Sequence, residues 1–328
     1  MIDRMRGLVV VGASAGGVDA LARLASGLPD DLDAAVLMVL HVSHGVRSAM
    51  PAILTRAGRL PAEHPRDGEA IRPGRIYVAP PDRHLMVSGE RLLVTPGPKE
   101  NGHRPAIDPA LRSAAEWWGP NVMGVILSGT LDDGATGLAE VRRAGGVTVV
   151  QSDALFPHMV ESARHLVTPD YDVPLAEIPV VIARWAREPR TGEGATGMTG
   201  EADPRPVPVA HTCPECGGTL WETEAGNGFR CRVGHVFSDK ALLAANGEQV
   251  EAALWTALRS MEERRDLFRR IAVRNEERRP WLAKRYRERS EEIDDQRLVL
   301  QSAVADAIAV SGVSTEDSPE PATQPEGD

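Results

Sequence analysis

The sequence predicts an α/β protein built on a mainly parallel, doubly wound sheet, followed by two smaller modules. Three observations carry this. Residues 1 to about 187 alternate β-branched runs with segments of helical spacing. The apolar runs are continuous, as strands buried on both faces require. The pattern then stops at "REPRTGEGATGMTGEADPRPVPV" (187–209), and all three cysteines fall in one short segment beyond it.

Taken in order, "GLVVVG" (7–12) is a strand and "DALARLASGL" (19–28) a helix; "AAVLMVLHV" (34–42) is a second buried strand and "AMPAILTRAG" (49–58) a helix. "GRIYVAP" (74–80) reads as a strand, and "HLMVSGERLLVTP" (84–96) as a hairpin turning at Ser88-Gly89. "DPALRSAAEWWG" (108–119) is helical, with Asp108 expected as N-cap and Pro109 at the first position, and with Trp117-Trp118 packing it onto the sheet. "NVMGVILSG" (121–129) is a strand, "GLAEVRRAGG" (137–146) a helix and "VTVVQ" (147–151) a further strand. The expected organisation is therefore an α/β domain over 1–187, a linker over 188–210, a cysteine-containing module over 211–245, a helical hairpin over 246–312 and an acidic, Pro-rich, disordered tail over 313–328. In the hairpin, Val250, Leu254, Leu258, Met261, Phe268 and Ile271 mark one helix face; beyond Pro280, Leu282, Tyr286, Ile293, Leu300, Val304 and Ile308 mark a second.

A net charge of -10 over 328 residues argues against a nucleic-acid binder, although 260–280 is locally basic; a solvated face or a protein partner for the hairpin is the expected reading there. No apolar run is long enough to insert into a membrane, and Arg4 and Arg6 precede a first strand and not a signal peptide. Three clustered cysteines, an odd number, fit a metal site in a reducing cytoplasm better than a disulfide framework. Cys213-x2-Cys216, fourteen residues, then Cys231-x3-His235 supplies three sulfurs and one nitrogen, the donor set of a closed structural Zn2+ site in a zinc ribbon-like module. His211 sits too close to Cys213 along the chain to compete with His235.

"GASAGG" (12–17) raises the chemical question. It has neither the G-x-G-x-x-G of a dinucleotide loop nor the lysine of a P-loop, but it satisfies G-x-S-x-G, a strand-to-helix turn that exposes a serine hydroxyl. A serine in a small-residue turn is by itself an ordinary loop residue. Two other strand ends strengthen the case: His41 closes one buried strand and Asp132-Asp133 follow another. In parallel sheets the active crevice lies outside such ends, where an imidazole removes the serine proton and a carboxylate orients the imidazole.

With these residues in view, "GASAGG", "LHVSHGVRSAMPAIL", "GRIYVAPPDRHLMV", "RPAIDPALRSAA" and "VILSGTLDDGATGL" together resemble, in order, the catalytic domain of chemotaxis protein-glutamate methylesterases, the CheB family, over residues 7 to about 183. The resemblance implies that Ser14 is nucleophile, His41 general base and Asp133 the acid, and that glutamate methyl esters on methylated chemoreceptors or similar helical signalling proteins are hydrolysed to methanol without a catalytic cofactor, glutamine deamidation being a side activity. The backbone of Ala15 and Thr130 is the expected oxyanion contact. The chain departs from the family in three ways. Ala15 replaces a common hydroxyl residue; "GTLDDG" replaces "GMGNDG", and its additional Asp132 is expected to raise a neighbour's pKa; and the sequence starts at the catalytic segment with no receiver before it. His44 is expected as a loop residue, Arg47 as a surface cation and His84 as structural support. The alternative is a degenerate methylesterase domain that acts as a binding or regulatory module through its zinc–helix tail.

Overall fold

A computed structural model of the chain describes residues 7–42, 48–188, 208–223 and 228–313, with side chains to residue 305. His44 and Arg47, the expected linker except at its ends, and the acidic tail lie outside the described residues. The chain forms two compact units, Met1–Leu242 and Leu243–Asp328.

In the first unit, β1 (Leu8–Ala13), α1 (Gly17–Gly27), β2 (Ala35–Leu40), α2 (Met50–Ala57), β3 (Ala62–Glu63) and β4 (Ile76–Val78) lead to a hairpin of β5 (His84–Ser88) and β6 (Arg91–Thr95). There follow α3 (Ile107–Trp118), β7 (Val122–Ile126), α4 (Ala135–Arg143), β8 (Val147–Gln151), α5 (His158–Leu166), β9 (Tyr171–Val173) and α6 (Ile178–Arg187). Seven strands make one parallel sheet in the order β3-β4-β2-β1-β7-β8-β9. Alternation along β1 explains the two layers. Val9 and Val11 pack with Leu21, Leu24, Leu54 and Ile182 on one face, whereas Leu8 and Val10 pack with Ile107, Leu111, Leu138 and Val160 on the other. The order reverses at β1, which pairs with β2 on one side and β7 on the other, so a crevice opens at the carboxyl ends of these three strands.

Two local expectations are corrected. Asp108 is not the N-cap of α3: the helix starts at Ile107 with Ala106 at the cap, and the Asp108 side chain instead accepts from Gly134 N and Gly137 N. Pro109 therefore lies third in the helix, still within the turn whose N–H groups have no intrahelical partner. Trp117 is at the surface, 37% exposed, while its neighbour Trp118 packs inward and donates from Nε1 to Gly89 O of the β5–β6 turn (2.9 Å).

The same unit holds a four-stranded antiparallel sheet of β10 (Pro208–Thr212), β11 (Thr219–Glu222), β12 (Phe229–Cys231) and β13 (Val236–Phe237). Next comes α7 (Asp239–Asn275), which begins earlier than the expected hairpin because Ser238 Oγ accepts from Ala241 N (3.0 Å) and caps it. In the second unit α7 and α8 (Pro280–Val313) run antiparallel: Phe268 lies against Tyr286, Arg265 pairs with Asp294, and Glu262 with Arg297. Leu258, Ala272, Ala283, Ile293 and Val304 are buried between them, whereas Val250, expected on that face, is exposed. Several basic residues of the 260–280 segment are thus occupied by partners inside the hairpin. No described helix is long and apolar enough to cross a membrane.

Candidate active site

Ser14 follows β1, His41 follows β2, and Asp133 lies in the loop between β7 and α4. The ladder continues past the strand ends, with His41 N bonded to Ala13 O and Ser14 N to Ser128 O (2.9 Å), which sets the register of the three side chains. The turn after Ser14 places Gly16 at φ 73, where an L side chain would be strained, so the helix starts immediately behind the serine.

Ser14 Oγ lies 3.1 Å from His41 Nδ1, and His41 Nε2 lies 2.7 Å from Asp133 Oδ2. The His41 side chain is 7% exposed and that of Asp133 1%. A carboxylate only accepts, so Nε2 carries the proton and Nδ1 turns its lone pair to the serine hydroxyl. Asp133 accepts three further donors: Ile107 N (2.6 Å) on Oδ2, and Asn101 Nδ2 (3.1 Å) and Asp108 N (3.2 Å) on Oδ1. Burial would raise its pKa, but the hydrogen bond and charge of His41 and the Ile107 N–H outweigh burial and hold the carboxyl well below the usual range. Asp108 goes the opposite way, pushed up by burial and then by the Asp133 charge. The two carboxylates exchange helices, Asp133 capping α3 and Asp108 capping α4. Asp132 accepts from Ser238 Oγ (2.8 Å), and burial raises its pKa; the negative charge beside His41 is thus carried by Asp133, with Asp132 and Asp108 the raised neighbours.

Two contributors escaped the sequence reading. His103 stacks on His41 with ring centroids 3.6 Å apart and planes 11° apart. Burial, then the neighbouring His41 charge, lowers its pKa to about 4, so it is a neutral plate over the imidazole at neutral pH. Asn101 donates from Nδ2 to both Asp108 Oδ2 (3.1 Å) and Asp133 Oδ1. Neither stands at a strand end or on a periodic face; the nearest signal is their place just before "RPAIDPALRSAA". His84, expected as support, is buried and braces this segment at both ends, its Nε2 against Pro98 O (2.8 Å) and its Nδ1 accepting from Ala106 N (3.3 Å).

A cavity of about 600 Å³ opens beside Ser14 and His41 and runs along the start of α1 past Val18 and Asp19 to Ala22. Ala15 sits between Ser14 and Gly16 at the positive end of α1, its own carbonyl occupied by Ser128 Oγ (2.8 Å). Thr130 is exposed, next to Gly129, where a Cβ would come within 3.0 Å of Ser14 Cβ.

The family question is decided by the match of a CheB methylesterase family model to residues 9–182, more than half the chain. The chain belongs to the CheB methylesterase family. It is 46% identical over 155 residues to protein-glutamate methylesterase/protein-glutamine glutaminase 3 of Anaeromyxobacter dehalogenans, covering 46% of this chain and 45% of that protein. It is 32% identical over 190 residues to the protein of that name from Pyrococcus abyssi, covering 56% and 52%. The chain thus spans about half the length of the curated relatives it matches. The crystal structure of the Thermotoga maritima CheB methylesterase catalytic domain superposes with a TM-score of 0.52 at 29% identity, over 54% of this chain and 97% of that one. In this CheB-family chain, the matched segment contains Ser14, His41 and Asp133.

Outside the matched segment, Cys213, Cys216, Cys231 and His235 bring their ligand atoms within 4.8 Å of one another. Cys216 Sγ and Cys231 Sγ are 3.7 Å apart, and His235 Nδ1 lies 3.6 Å from Cys213 Sγ and 3.4 Å from Cys231 Sγ. Such spacings are compatible with four ligands around one metal ion, since bonds of about 2.3 Å to sulfur in a tetrahedral zinc site give sulfur–sulfur edges near 3.8 Å. Burial pushes the Cys213 thiol up to about 11, whereas contacts from His235 and Cys216 outweigh burial at Cys231 and bring it to about 6. His211 is exposed and lies edge-on to Phe229, apart from this cluster.

Proposed function

We propose that the chain is a protein-glutamate methylesterase, a serine hydrolase acting on glutamate methyl esters of methylated chemoreceptors or similar helical signalling proteins. The observation that supports this best is the unbroken hydrogen-bonded series from Ser14 Oγ through His41 to Asp133 beside an open cavity. His41 Nδ1 takes the Ser14 proton as Oγ attacks the ester carbonyl. Asp133 stabilises the resulting imidazolium without taking its proton. The tetrahedral oxyanion is held by backbone N–H groups, for which Ala15 and Thr130 are the candidates. Collapse expels methoxide, which leaves as methanol with the proton from Nδ1, and Ser14 is left acylated by the glutamyl group. Water, deprotonated by the same nitrogen, attacks the acyl-enzyme and frees the glutamate carboxylate and Ser14. Ammonia can take the place of methanol as the leaving group, so glutamine deamidation belongs to the same reading.

Cys213, Cys216, Cys231 and His235 are proposed to hold one zinc ion, which supplies folding energy to the small module and no chemistry at Ser14. The test is methanol release from a methyl-esterified chemoreceptor signalling domain. Release is expected from the full chain and not from Ser14→Ala; a full chain that binds the receptor but releases no methanol would favour a binding module instead.

A further inference from the structure

The cysteine-containing module does more than sit beside the catalytic sheet. His235 is followed directly by Val236, whose N–H donates to Lys99 O (3.2 Å) and whose carbonyl accepts from Asn101 N (2.7 Å), so residues 99–101 run along β13. Two residues later Ser238 N donates to Asn101 Oδ1 (2.8 Å), and Ser238 Oγ donates to Asp132 Oδ1. Glu215, inside the Cys213–Cys216 turn, accepts from Lys99 Nζ (2.7 Å). Gly234, in the turn between Cys231 and His235, has φ 104, and a Cβ there would meet Pro98 at 3.0 Å. Both halves of the donor cluster therefore touch the 98–101 segment.

That segment is the one that carries Asn101 and His103. Asn101 is 7% exposed, and its amide group is fully directed: two N–H bonds go to Asp108 and Asp133, and the oxygen is filled by Ser238. The series His235–Val236–Asn101–Asp133–His41–Ser14 contains no gap.

We propose that the metal-loaded Cys3His module is a clamp on the active site, with Asn101 as the positioning residue through which it fixes the Asp133–His41 pair. The proposal rests on the esterase reading above. With the ion removed, β13 and Ser238 lose their anchor, Asn101 loses its two contacts with Val236 and Ser238, and the acid–base pair is no longer held in register with Ser14. Misplacement on the scale of an ångström slows a chemical step without requiring that substrate binding change.

The test compares the full chain and Asn101→Gly, each zinc-loaded and after chelation, by methanol release from the methyl-esterified receptor domain. Glycine suits this position because Asn101 has φ 51, so the variant deletes the amide group and keeps the backbone bridge to Val236. Chelation of the full chain is expected to lower kcat about tenfold with KM unchanged, and added zinc to restore it. Loaded Asn101→Gly is expected to bind one zinc, to start about tenfold low in kcat, and to lose less than about twofold more on chelation; coupling being reciprocal, it also holds zinc more weakly in competition with a chelator at equilibrium. A full chain indifferent to chelation, or an Asn101→Gly variant still as sensitive as the full chain, overturns the clamp and leaves the esterase standing. A loaded full chain without turnover, whose Ser14 is not labelled by a fluorophosphonate, overturns both.

Discussion

The sheet edge that carries Ser14 and the module that carries Cys213 are held in place by opposite means. At the sheet edge, three strands buried on both faces deliver Ser14, His41 and Asp133, and the N-terminus of α3 holds the Asp133 carboxylate. The polar residues there are positioned by a large apolar core that exists without them. The module of β10 to β13 has Leu220 and Phe237 as its only large, fully buried apolar side chains among the described residues, and its four donors stand where a core would be. A core of that size does not offset chain entropy by itself, whereas metal binding worth roughly 10–16 kcal/mol in small zinc peptides does. On the proposed function, the serine chemistry is placed on the self-sufficient part, and the metal-dependent part is docked against it.

If the two parts differ in this way, the largest effect on activity belongs to Ser14, the proposed nucleophile. Ser14→Ala should lower kcat by on the order of 10⁵- to 10⁶-fold while leaving thermal unfolding of the chain nearly unchanged, which steady-state kinetics and calorimetry would read together. Asp133→Asn should cost on the order of 10⁴-fold in rate and also destabilise the fold, because its charge caps α3. Chelation should release amide protection over residues 208–238 in hydrogen exchange and spare β1, β2 and β7; equal loss in both would end the contrast.

Acid should act on the sheet edge in two windows. The Asp133 carboxyl is depressed in the folded state, so its contribution is complete above about pH 4, the unfolded value, and is lost as pH falls through the folded one. His103 is also depressed, from about 6.5 to about 4, so the unfolded chain binds more protons between those values and stability falls as pH drops through them. His103→Phe keeps an aromatic plate over His41 and should flatten denaturation midpoints between pH 6.5 and 4. The smallest effect is expected at Ser238→Ala, which removes the cap of α7 and should cost about 1 kcal/mol in urea unfolding.

That Ser14, His41 and Asp133 meet was legible because each follows a long apolar run, and those runs pair as parallel strands. The four metal-site donors were legible because short spacings bring thiolates and imidazole together whatever the surroundings. Asn101, His103 and the Asp108 carboxylate were not, for a physical reason. They act through tertiary hydrogen bonds and ring stacking between segments far apart in the chain, 26 positions for Asp108 with Gly134 and 137 for Asn101 with Ser238, and no local period encodes that. Asp108 was misread because a helix-start aspartate looks the same whether it caps its own helix or another. The docking of β13 on 99–101 was equally hidden, since a backbone bridge places no demand on side-chain type.

The exchange of caps between Asp133 and Asp108 has a consequence for how the proposed activity could be silenced, by an experimenter or by drift. Losing the Asp133 carboxylate uncaps α3 as well as freeing His41, so a lineage cannot discard catalysis at that position and keep the scaffold intact. Ser14 carries no such burden. A catalytically dead but well-folded descendant, kept for what it binds, should therefore bear its first scar at the serine and retain the aspartate long after it has stopped serving a reaction.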